Sequence, residues 1–319
     1  MMFATATTVL QYGFDSIAYG SLFALIALSL SLLFGVMGLM NFAYGELIMA
    51  GAFTMFYTRT WGVIPMIAVT FAIVVVLAVL MERLAFRPVR RGSPVTLLIT
   101  SFAVSYGLQQ LAFMTVGKST QQGVTPYPWT TRQHDVLGVL VSNLEIITAV
   151  TTVLLLIAMT LMLKRTSLGV QLRASTEDFG MAQLVGVKAN RVIAFAFAIT
   201  GFLAAAVTVL YVLRSGAIAP TMGQGPLLIA FVGGVIGGLG SLSGAAFGGF
   251  VLGFLINLLQ AALPTSLNGY TLVFAFLAVI AILVWQPDGM VVTGRRIRAR
   301  WRRRREAASA EPVATGELA

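Results

Sequence analysis

The stretch from Gly225 to Pro264 reads GPLLIAFVGGVIGGLGSLSGAAFGGFVLGFLINLLQAALP. It is almost entirely apolar, and a glycine-rich interruption lies between Gly237 and Gly244. The part before it, near residues 226–237, is too short to span a bilayer, because a helix rises about 1.5 Å per residue and the hydrocarbon core is about 30 Å thick. We therefore expect a discontinuous or re-entrant segment, which is tolerated only where its backbone is buried in protein or lines a wet cavity.

Glycines recur every four residues after this interruption. They lie at Gly240, Gly244 and Gly248, and again at Gly249 and Gly253. Such a stripe lets neighbouring helices approach closely. Helix packing alone would explain the stripe, whereas it does not explain the interruption.

The composition indicates that most of the chain, and not this stretch alone, lies in a membrane. Apolar residues make up 58% of it and charged residues 10%, against roughly 45–50% and about 25% in an ordinary soluble domain. Apolar runs lie near residues 9–39, 41–58, 62–81, 94–116, 144–163, 191–213, 225–264 and 269–286. The sequence predicts an all-α, polytopic helical membrane protein over residues 1–292. It has about 8–9 membrane segments, including discontinuous or re-entrant ones.

The basic residues predict the orientation in the membrane. One set lies in the segments 83–91, 164–191 and 295–305. The other comprises Arg59, Lys118, Arg132 and Arg214. The positive-inside rule assigns the first set to the cytoplasm, so the N-terminus lies outside and the C-terminus inside. The tail, residues 293–319, begins basic and is expected to bind anionic lipid rather than nucleic acid, and then to be disordered.

A second interruption lies near the N-terminus, in LLFGVMGLMNFAYGELIMAGAF at 32–53. The segment 35–38 aligns with 234–237 at an offset of 199 residues, and the same offset places Gly45 on Gly244. This is a weak internal repeat. Transporters often carry discontinuous helices at corresponding positions of two repeats, with the solute pathway between them.

Polar residues within the two interruptions are candidates for the solute pathway. Asn41, Tyr44 and Glu46 interrupt the first apolar run, and polar side chains at membrane depth face protein or water. Glu46 could instead stabilise the N-terminal dipole of the next helix. In the second interruption the corresponding candidates are Gly238, Gly240 and Ser241.

The predicted cytoplasmic loop, residues 164–191, contains a candidate docking helix. Ser175 or Thr176 could cap a helix that begins at Glu177 and Asp178, the charges that a helix N-terminus prefers. Its apolar positions have helical spacing and comprise Met181, Leu184 and Val185. Gly186 would end it. Such a helix suits either a groove on a partner protein or the membrane surface.

Several classes of chemistry are excluded. The chain has no cysteine and one histidine, His134, so thiolate and histidine-cluster metal sites are absent. It also lacks a phosphate-binding loop, so ATP would have to be bound by a separate chain. No catalytic constellation is evident, and few ionisable residues lie in the apolar runs to support a self-sufficient secondary carrier or channel.

Five ordered blocks carry a family resemblance. They are ALIALSLSLLFGVMGLMNFAYGELIMAGAF (24–53), ERLAFRPVR (82–90), LGVQLRASTEDFGMAQLVGVKANRV (168–192), GGVIGGLGSLSGAAFGGFVLG (233–253) and WQPDGM (285–290). Together they resemble the permeases of branched-chain amino-acid ABC importers, specifically the shorter of two paired types, the LivH type.

The resemblance implies both function and partners. It implies a permease that pairs with a second, homologous permease, binds two ATP-binding cassette subunits and receives solute from a periplasmic binding protein. The 168–192 block would couple to the ATPases, through Arg173, Glu177, Asp178, Leu184 and Gly186. Tyr44 stands where the family usually has histidine, and tyrosine cannot take a positive charge near neutral pH. Related permeases handle urea and short amides, so the family does not fix the solute.

Overall fold

The computed structural model describes residues 6–38, 41–90, 92–117, 120–122, 127–136, 139–177, 179–238, 241–264 and 266–285. The first six helices are α1 (Ala6–Met37), α2 (Tyr44–Thr58), α3 (Val63–Met81), α4 (Arg87–Val89), α5 (Pro94–Val116) and α6 (Asn143–Arg165). Those that follow are α7 (Ser167–Glu177), α8 (Phe179–Leu184), α9 (Ala189–Ser215), α10 (Gln224–Gly237), α11 (Leu242–Ala262) and α12 (Thr271–Trp285). A π-helical turn, Glu82–Phe86, joins α3 to α4, and 3-10 turns lie at Arg59–Trp61 and Asn268–Tyr270. The short strands β1 (Gln121–Gln122), β2 (Gln133–Val136), β3 (Val139–Ser142) and β4 (Ala217–Ile218) pair antiparallel, β1 with β4 and β2 with β3.

The predicted polytopic helical fold is confirmed. Within the described residues, six helical spans are long and apolar enough to cross a membrane: residues 10–37, 63–89, 94–116, 143–165, 189–215 and 242–262. The helices α2, α10 and α12 are shorter, with 15, 14 and 15 residues. Whether these add up to 8–9 membrane segments stays a prediction. The tail at 293–319 lies outside the described residues.

Two ends of the helix bundle are distinguished by contacts between distant segments. At one end, Arg90 donates a hydrogen bond to Asn190, which joins the end of α4 to the start of α9. We call this the arginine-rich end. At the opposite end, the Gln11 amide nitrogen donates to the Leu140 carbonyl at 2.8 Å, and the Leu140 N–H donates back to the Gln11 amide oxygen at 2.8 Å.

The helices divide into central and peripheral ones. In the most apolar window of each span, 83% of the residues are buried in α1 and 72% in α9, against 22% in α3, α5 and α6. Apolar side chains on the outward faces of the last three are therefore available to lipid. The core of the molecule lies around α1, α9 and α11.

The second interruption forms a tight helical hairpin. Gly237 of α10 faces Gly244 of α11, and Gly233, one turn earlier in α10, faces Gly248, one turn later in α11. The two helices are therefore antiparallel. A Cβ on Gly237 would lie 1.8 Å from the Gly244 carbonyl oxygen, and one on Gly248 would lie 2.0 Å from that of Gly233. The packing role of the glycine stripe is confirmed at these positions, while Gly240 lies outside the described residues.

Two helices begin in the middle of the bundle rather than at one of its ends. The Tyr44 hydroxyl at the start of α2 is 2.9 Å from the hydroxyl of Ser29, two turns before the end of α1. Glu46 bonds to Ser105, the central residue of α5. A Cβ on Gly45 would lie 2.8 Å from the carbonyl oxygen of Gly223, the residue before α10. The N-termini of α2 and α10 therefore meet at mid-depth, and the two half-length helices run toward opposite ends.

Residues 226–237 lie in α10, which covers only part of the depth of the membrane. At 14 residues, α10 is about 21 Å long, and the non-helical residues 219–223 lead into it from the end of α9. The segment is therefore discontinuous, as predicted.

The proposed internal repeat stays a prediction: Gly45 and Gly244 both lie in the first turn of the helix that follows their interruption, but their contacts differ. Gly45 contacts Gly223, whereas Gly244 contacts Gly237. Residues 42 and 43 form a turn that leads directly into α2. The second interruption instead turns back at once, at Gly238, whose φ of +94° favours glycine.

The helix in the 164–191 loop also differs from the prediction. Ser175 and Thr176 do not cap a helix, because they lie inside α7 and donate to the carbonyls of Gln171 and Arg173 at 2.9 and 2.8 Å. The apolar Leu172 is buried within this helix and ties it to the core. The predicted end at Gly186 is confirmed: its φ is +92°, and the hydrogen bonds around it form a Schellman motif.

Candidate functional site

The meeting point of α2 and α10 contains a buried carboxylate. Glu46 is 2% exposed, and its Oε1 accepts a hydrogen bond from the Ser105 hydroxyl at 2.8 Å. Its Oε2 has no hydrogen-bond partner in the described part of the chain. A buried carboxylate is costly without compensation, and here the positive ends of two helix dipoles provide part of it. The helix-terminus role and the pathway role of Glu46 are therefore compatible.

Asn41 and Tyr44 precede Glu46 in the chain and are buried as well. Asn41 is 1% exposed, and its Oδ1 accepts from the Ala43 N–H at 3.0 Å. Its amide nitrogen Nδ2 is buried with no partner among the described residues. Tyr44 is fully buried, and its hydroxyl bonds to Ser29. The predicted pathway residues of the first interruption are thus all buried near the start of α2, with Tyr44 bonded to α1 and Glu46 to α5.

The two unpartnered atoms at this meeting point, a carboxylate oxygen and an amide nitrogen, are of the kinds that bind an ammonium and a carboxylate. Half-helix N-termini at membrane depth attract anionic groups. Glu46 Oε2 can accept hydrogen bonds from a cationic donor, and Asn41 Nδ2 can donate one. An α-amino acid carries both kinds of group, one carboxylate and one ammonium.

The pathway residues predicted in the second interruption lie elsewhere, at the arginine-rich end. Gly238 turns the chain, and the Ser241 hydroxyl caps α11 by accepting from the Gly244 N–H at 3.3 Å. Ser241 also lines an apolar groove of about 800 Å³, together with Arg173 of α7. The structure therefore brings Ser241 close to a predicted coupling residue and not to Glu46.

Thr176 lies between the two interruptions. Its methyl group would be 2.8 Å from a Cβ on Gly35, close to the end of α1. It lines the 800 Å³ groove beside Ser241, and it also lines a cavity of about 350 Å³ beside Gly38. The helix α7 of the predicted coupling loop therefore contacts the end of α1 beside the first interruption and shares a groove with the second.

The short helix α8 presents an apolar surface. Leu184 and Val185 are each 82% exposed, and Met181 is 63% exposed. Ala182 on the other side is buried. The predicted apolar face is confirmed, whereas the side chain of Glu177 and all of Asp178 lie outside what the structure describes.

Sequence reasoning missed three contributors to the mid-depth site. Ser29 and Ser105 are serines inside apolar runs, and Gly223 lies in a loop. A polar residue in a membrane segment was the available signal for the two serines. No local pattern indicates that Gly223 would meet Gly45.

Discontinuous half-helices that meet at mid-depth, together with a helical loop that contacts α1 beside the first interruption and shares a groove with the second, are typical of a membrane transport protein. The branched-chain amino acid transport system permease component family matches residues 13–283, and the chain belongs to this family. It is similar to the high-affinity branched-chain amino acid transport system permease protein BraD of Pseudomonas aeruginosa, at 32% identity over 88% of this chain and 95% of the relative.

Other relatives agree. The high-affinity permease protein LivH of Escherichia coli K12 is 30% identical over 88% of this chain and 95% of its own length. A probable LivH permease of Methanocaldococcus jannaschii is 27% identical over 86% of this chain and 90% of its own. No solved structure was found to match the chain. The resemblance to the LivH type is confirmed, and the relatives are transport subunits rather than enzymes.

Proposed function

We propose that this chain is the membrane-spanning subunit of an ATP-driven importer for branched-chain or related amino acids. The names of its relatives describe branched-chain amino acid transport. The zwitterion chemistry at the meeting point of α2 and α10 supports a solute of the same class. In this proposal the solute passes Asn41, Tyr44 and Glu46.

The position of Thr176 carries the proposal. ATP binding and hydrolysis on separate subunits would move α7 and α8. Because Thr176 contacts Gly35 and also lines the groove beside Ser241, such a movement is transmitted to the segments flanking both interruptions. The chain itself performs no bond chemistry and shifts a conformational equilibrium.

The proposed assembly contains a second, homologous permease, two ATP-binding cassette subunits and a periplasmic binding protein, with lipid around it and no nucleic acid. The protein lies in the inner membrane of a bacterium, and its arginine-rich end faces the cytoplasm, because basic residues concentrate in cytoplasmic loops. The N-terminus then lies outside and the C-terminus inside. The exposed Leu184 and Val185 would dock on an ATPase. ATP is bound by the partners, and this chain holds no cofactor or metal of its own.

One alternative has a specific observation in its favour. Glu46 is an ionisable group at mid-depth, one of whose oxygens has no partner among the residues that the structure describes, and such groups also serve ion-coupled carriers. A self-sufficient secondary carrier would transport solute without ATP. A second alternative keeps the assembly and changes the solute to urea or a short amide.

Reconstitution tests the proposal. The full complex in proteoliposomes should take up radiolabelled leucine only with ATP inside and binding protein outside, and the purified chain alone should transport nothing. Uptake by the chain alone, driven by an ion gradient, would instead establish the carrier. Competition with unlabelled leucine, urea and acetamide identifies the solute class, and displacement by urea or acetamide but not leucine would overturn the amino-acid assignment.

A further inference from the structure

The transport proposal assigns no ligand to the groove of about 800 Å³ beside Ser241. This groove lies between α6 and α11, and residues of α1 and α7 complete its lining. Its lining residues run from Thr152 to Lys164 on α6 and from Ser241 to Phe250 on α11. Thr152 and Phe250 lie near the middle of their helices. The groove therefore extends from the arginine-rich end to mid-depth.

The groove has the depth of one lipid leaflet. Between residues 152 and 164, α6 rises about 18 Å, and half of a hydrocarbon core of about 30 Å is about 15 Å. Val153 and Phe247 line the groove and are 52% and 50% exposed. Because both are apolar and lie on helices long enough to span a membrane, the groove is open to lipid from the side.

The outer end of the groove is positively charged. Lys164, the last residue but one of α6, and Arg173 of α7 lie at this end. Both are exposed, and neither forms an ion pair within the described part of the chain. No acidic side chain is found among the described residues that line the groove, and its interior is formed mainly by apolar side chains, among them Leu28, Leu156, Met159 and Phe250. The groove thus joins a cationic outer end to an apolar interior.

The start of α11 supplements the two cations. Ser241 precedes this helix, and its hydroxyl oxygen accepts from the Gly244 N–H at 3.3 Å. A serine hydroxyl that accepts in this way still has an O–H to donate. The positive end of the α11 dipole lies beside it. The outer end of the groove therefore favours a negatively charged group.

We propose that this groove binds an anionic phospholipid from the surrounding leaflet. Its phosphate accepts hydrogen bonds from Lys164 and Arg173, and one acyl chain lies along α6 and α11 beside Leu156 and Phe250. Basic pockets between membrane helices suit such headgroups. Inorganic phosphate would leave the apolar interior unfilled, and a zwitterionic solute would find no acid for its cationic group among the described lining residues.

A membrane helix of a partner subunit is the other occupant to consider. Such a helix is about 10 Å wide, and over about 18 Å of length it would occupy roughly 1,400 Å³. The groove holds about 800 Å³. The narrower acyl chain therefore fits the groove better than a helix does.

Native mass spectrometry of the purified full chain in detergent, titrated with phosphatidylglycerol, tests the headgroup site. Lys164→Gln and Arg173→Gln should each raise the dissociation constant of the first lipid about fivefold, and together roughly 25-fold, the range for losing a basic residue that contacts anionic lipid. Arg165→Gln is the matched control, because it removes the same charge from an exposed neighbour that does not line the groove. Phosphatidylcholine should bind more weakly than phosphatidylglycerol.

Two results would overturn the headgroup assignment. A shift of equal size in Arg165→Gln would show a diffuse attraction between the lipid and the basic residues of the chain. Displacement of phosphatidylglycerol by inorganic phosphate would show a site for a free anion. These measurements use the chain alone, so their outcome does not depend on the transport proposal.

Phosphatidylglycerol with a diazirine in its acyl chain tests where the chain lies. On illumination it should label peptides of α6 and α11. Thr160→Phe should suppress this labelling, because Thr160 is exposed and lines the groove, so the larger side chain fills it. Leu161→Phe is the control, since Leu161 is exposed on the same helix and does not line the groove. This test remains even if the charge variants fold poorly.

The pattern of labelling decides between the occupants. Labelling spread evenly over the peripheral helices α3, α5 and α6 would show ordinary contact with bulk lipid and overturn the proposal. Labelling of α6 and α11 that persists in the complete transport complex supports it. Loss of that labelling when the partner permease is present would assign the groove to a helix of the partner and would likewise overturn the proposal.

Discussion

Tyr44 is a fully buried side chain whose polar atom is satisfied within the bundle. Its hydroxyl bonds to Ser29 on α1 and thereby ties the start of α2 to the middle of α1. Histidine, which the family resemblance leads one to expect at this position, could carry a charge there. Tyrosine provides a neutral contact between two helices.

Tyr44→Phe should lower stability by about 0.5–1.5 kcal/mol, because it leaves the buried Ser29 hydroxyl without this partner. The unfolding free energy of the purified chain in detergent measures the change. Tyr57→Phe is the control, since Tyr57 is 60% exposed and should lose little. Equal effects of the two substitutions would contradict a structural role for the Tyr44 hydroxyl.

Gly223 has no room for a side chain. A Cβ there would lie 2.0 Å from the Gly45 carbonyl oxygen, so Gly223→Ala should separate the N-termini of α2 and α10. Overpacking typically costs about 1–3 kcal/mol, and we expect a lower unfolding temperature together with loss of uptake.

Gly225→Ala is a matched control for that substitution. It lies two residues further on, in the first turn of α10, and a Cβ there would meet nothing within 4 Å. Alanine also favours helix over glycine by about 1 kcal/mol, so this variant should be as stable as the native chain or more so. Destabilisation of similar size at both positions would mean that the contact with Gly45 is unimportant.

At the scale of elements, the sequence predicted where helices are interrupted, but it did not predict the depth in the bundle at which they begin. An apolar run too short to span the bilayer and the glycines that follow it are local signals. They identified α10, α11 and the hairpin between them. The depth at which α2 begins depends on residues 29, 105 and 223, which are distant in sequence. Hydrophobic periodicity carries no information on such pairings.

The error in the 164–191 loop has a similar cause. Serine and threonine before acidic residues are a good capping signal, and it predicted a helix start at Glu177. Leu172 packs into the core, and that tertiary contact favours a helix that starts ten residues earlier. Gly186 could be predicted because a positive φ requirement is a property of a single residue.

Leu184→Glu should uncouple ATP hydrolysis from uptake in the complex, because it places a charge on the apolar face of α8. Leu184→Met keeps that face apolar and should preserve coupling. Gly186→Ala, at φ +92° and with open space around it, tests the end of α8 through backbone strain of roughly 1–2 kcal/mol. The ratio of leucine taken up to ATP hydrolysed is the measurement, and an unaltered ratio in Leu184→Glu would falsify the docking role.

At the scale of the whole molecule, the predicted orientation can be read directly, because the chain has no native cysteine. Single cysteines at Leu184 and at Thr131 replace exposed residues at the two ends of the bundle. A membrane-impermeant maleimide added to intact spheroplasts should label position 131 and spare 184. Labelling in the reverse pattern would place the arginine-rich end outside.

The glycine contacts also decide which parts of the bundle can move. A Cβ on Gly249 would lie 2.5 Å from the Phe23 carbonyl oxygen of α1, and one on Gly248 would lie 2.0 Å from that of Gly233 in α10. The backbone of α11 therefore lies directly against α1 on one side and against α10 on the other. We expect these three helices to move as one body during transport. A chemical tether between two of them should leave uptake intact, whereas a tether that joins one of them to the peripheral helix α5 should arrest the cycle.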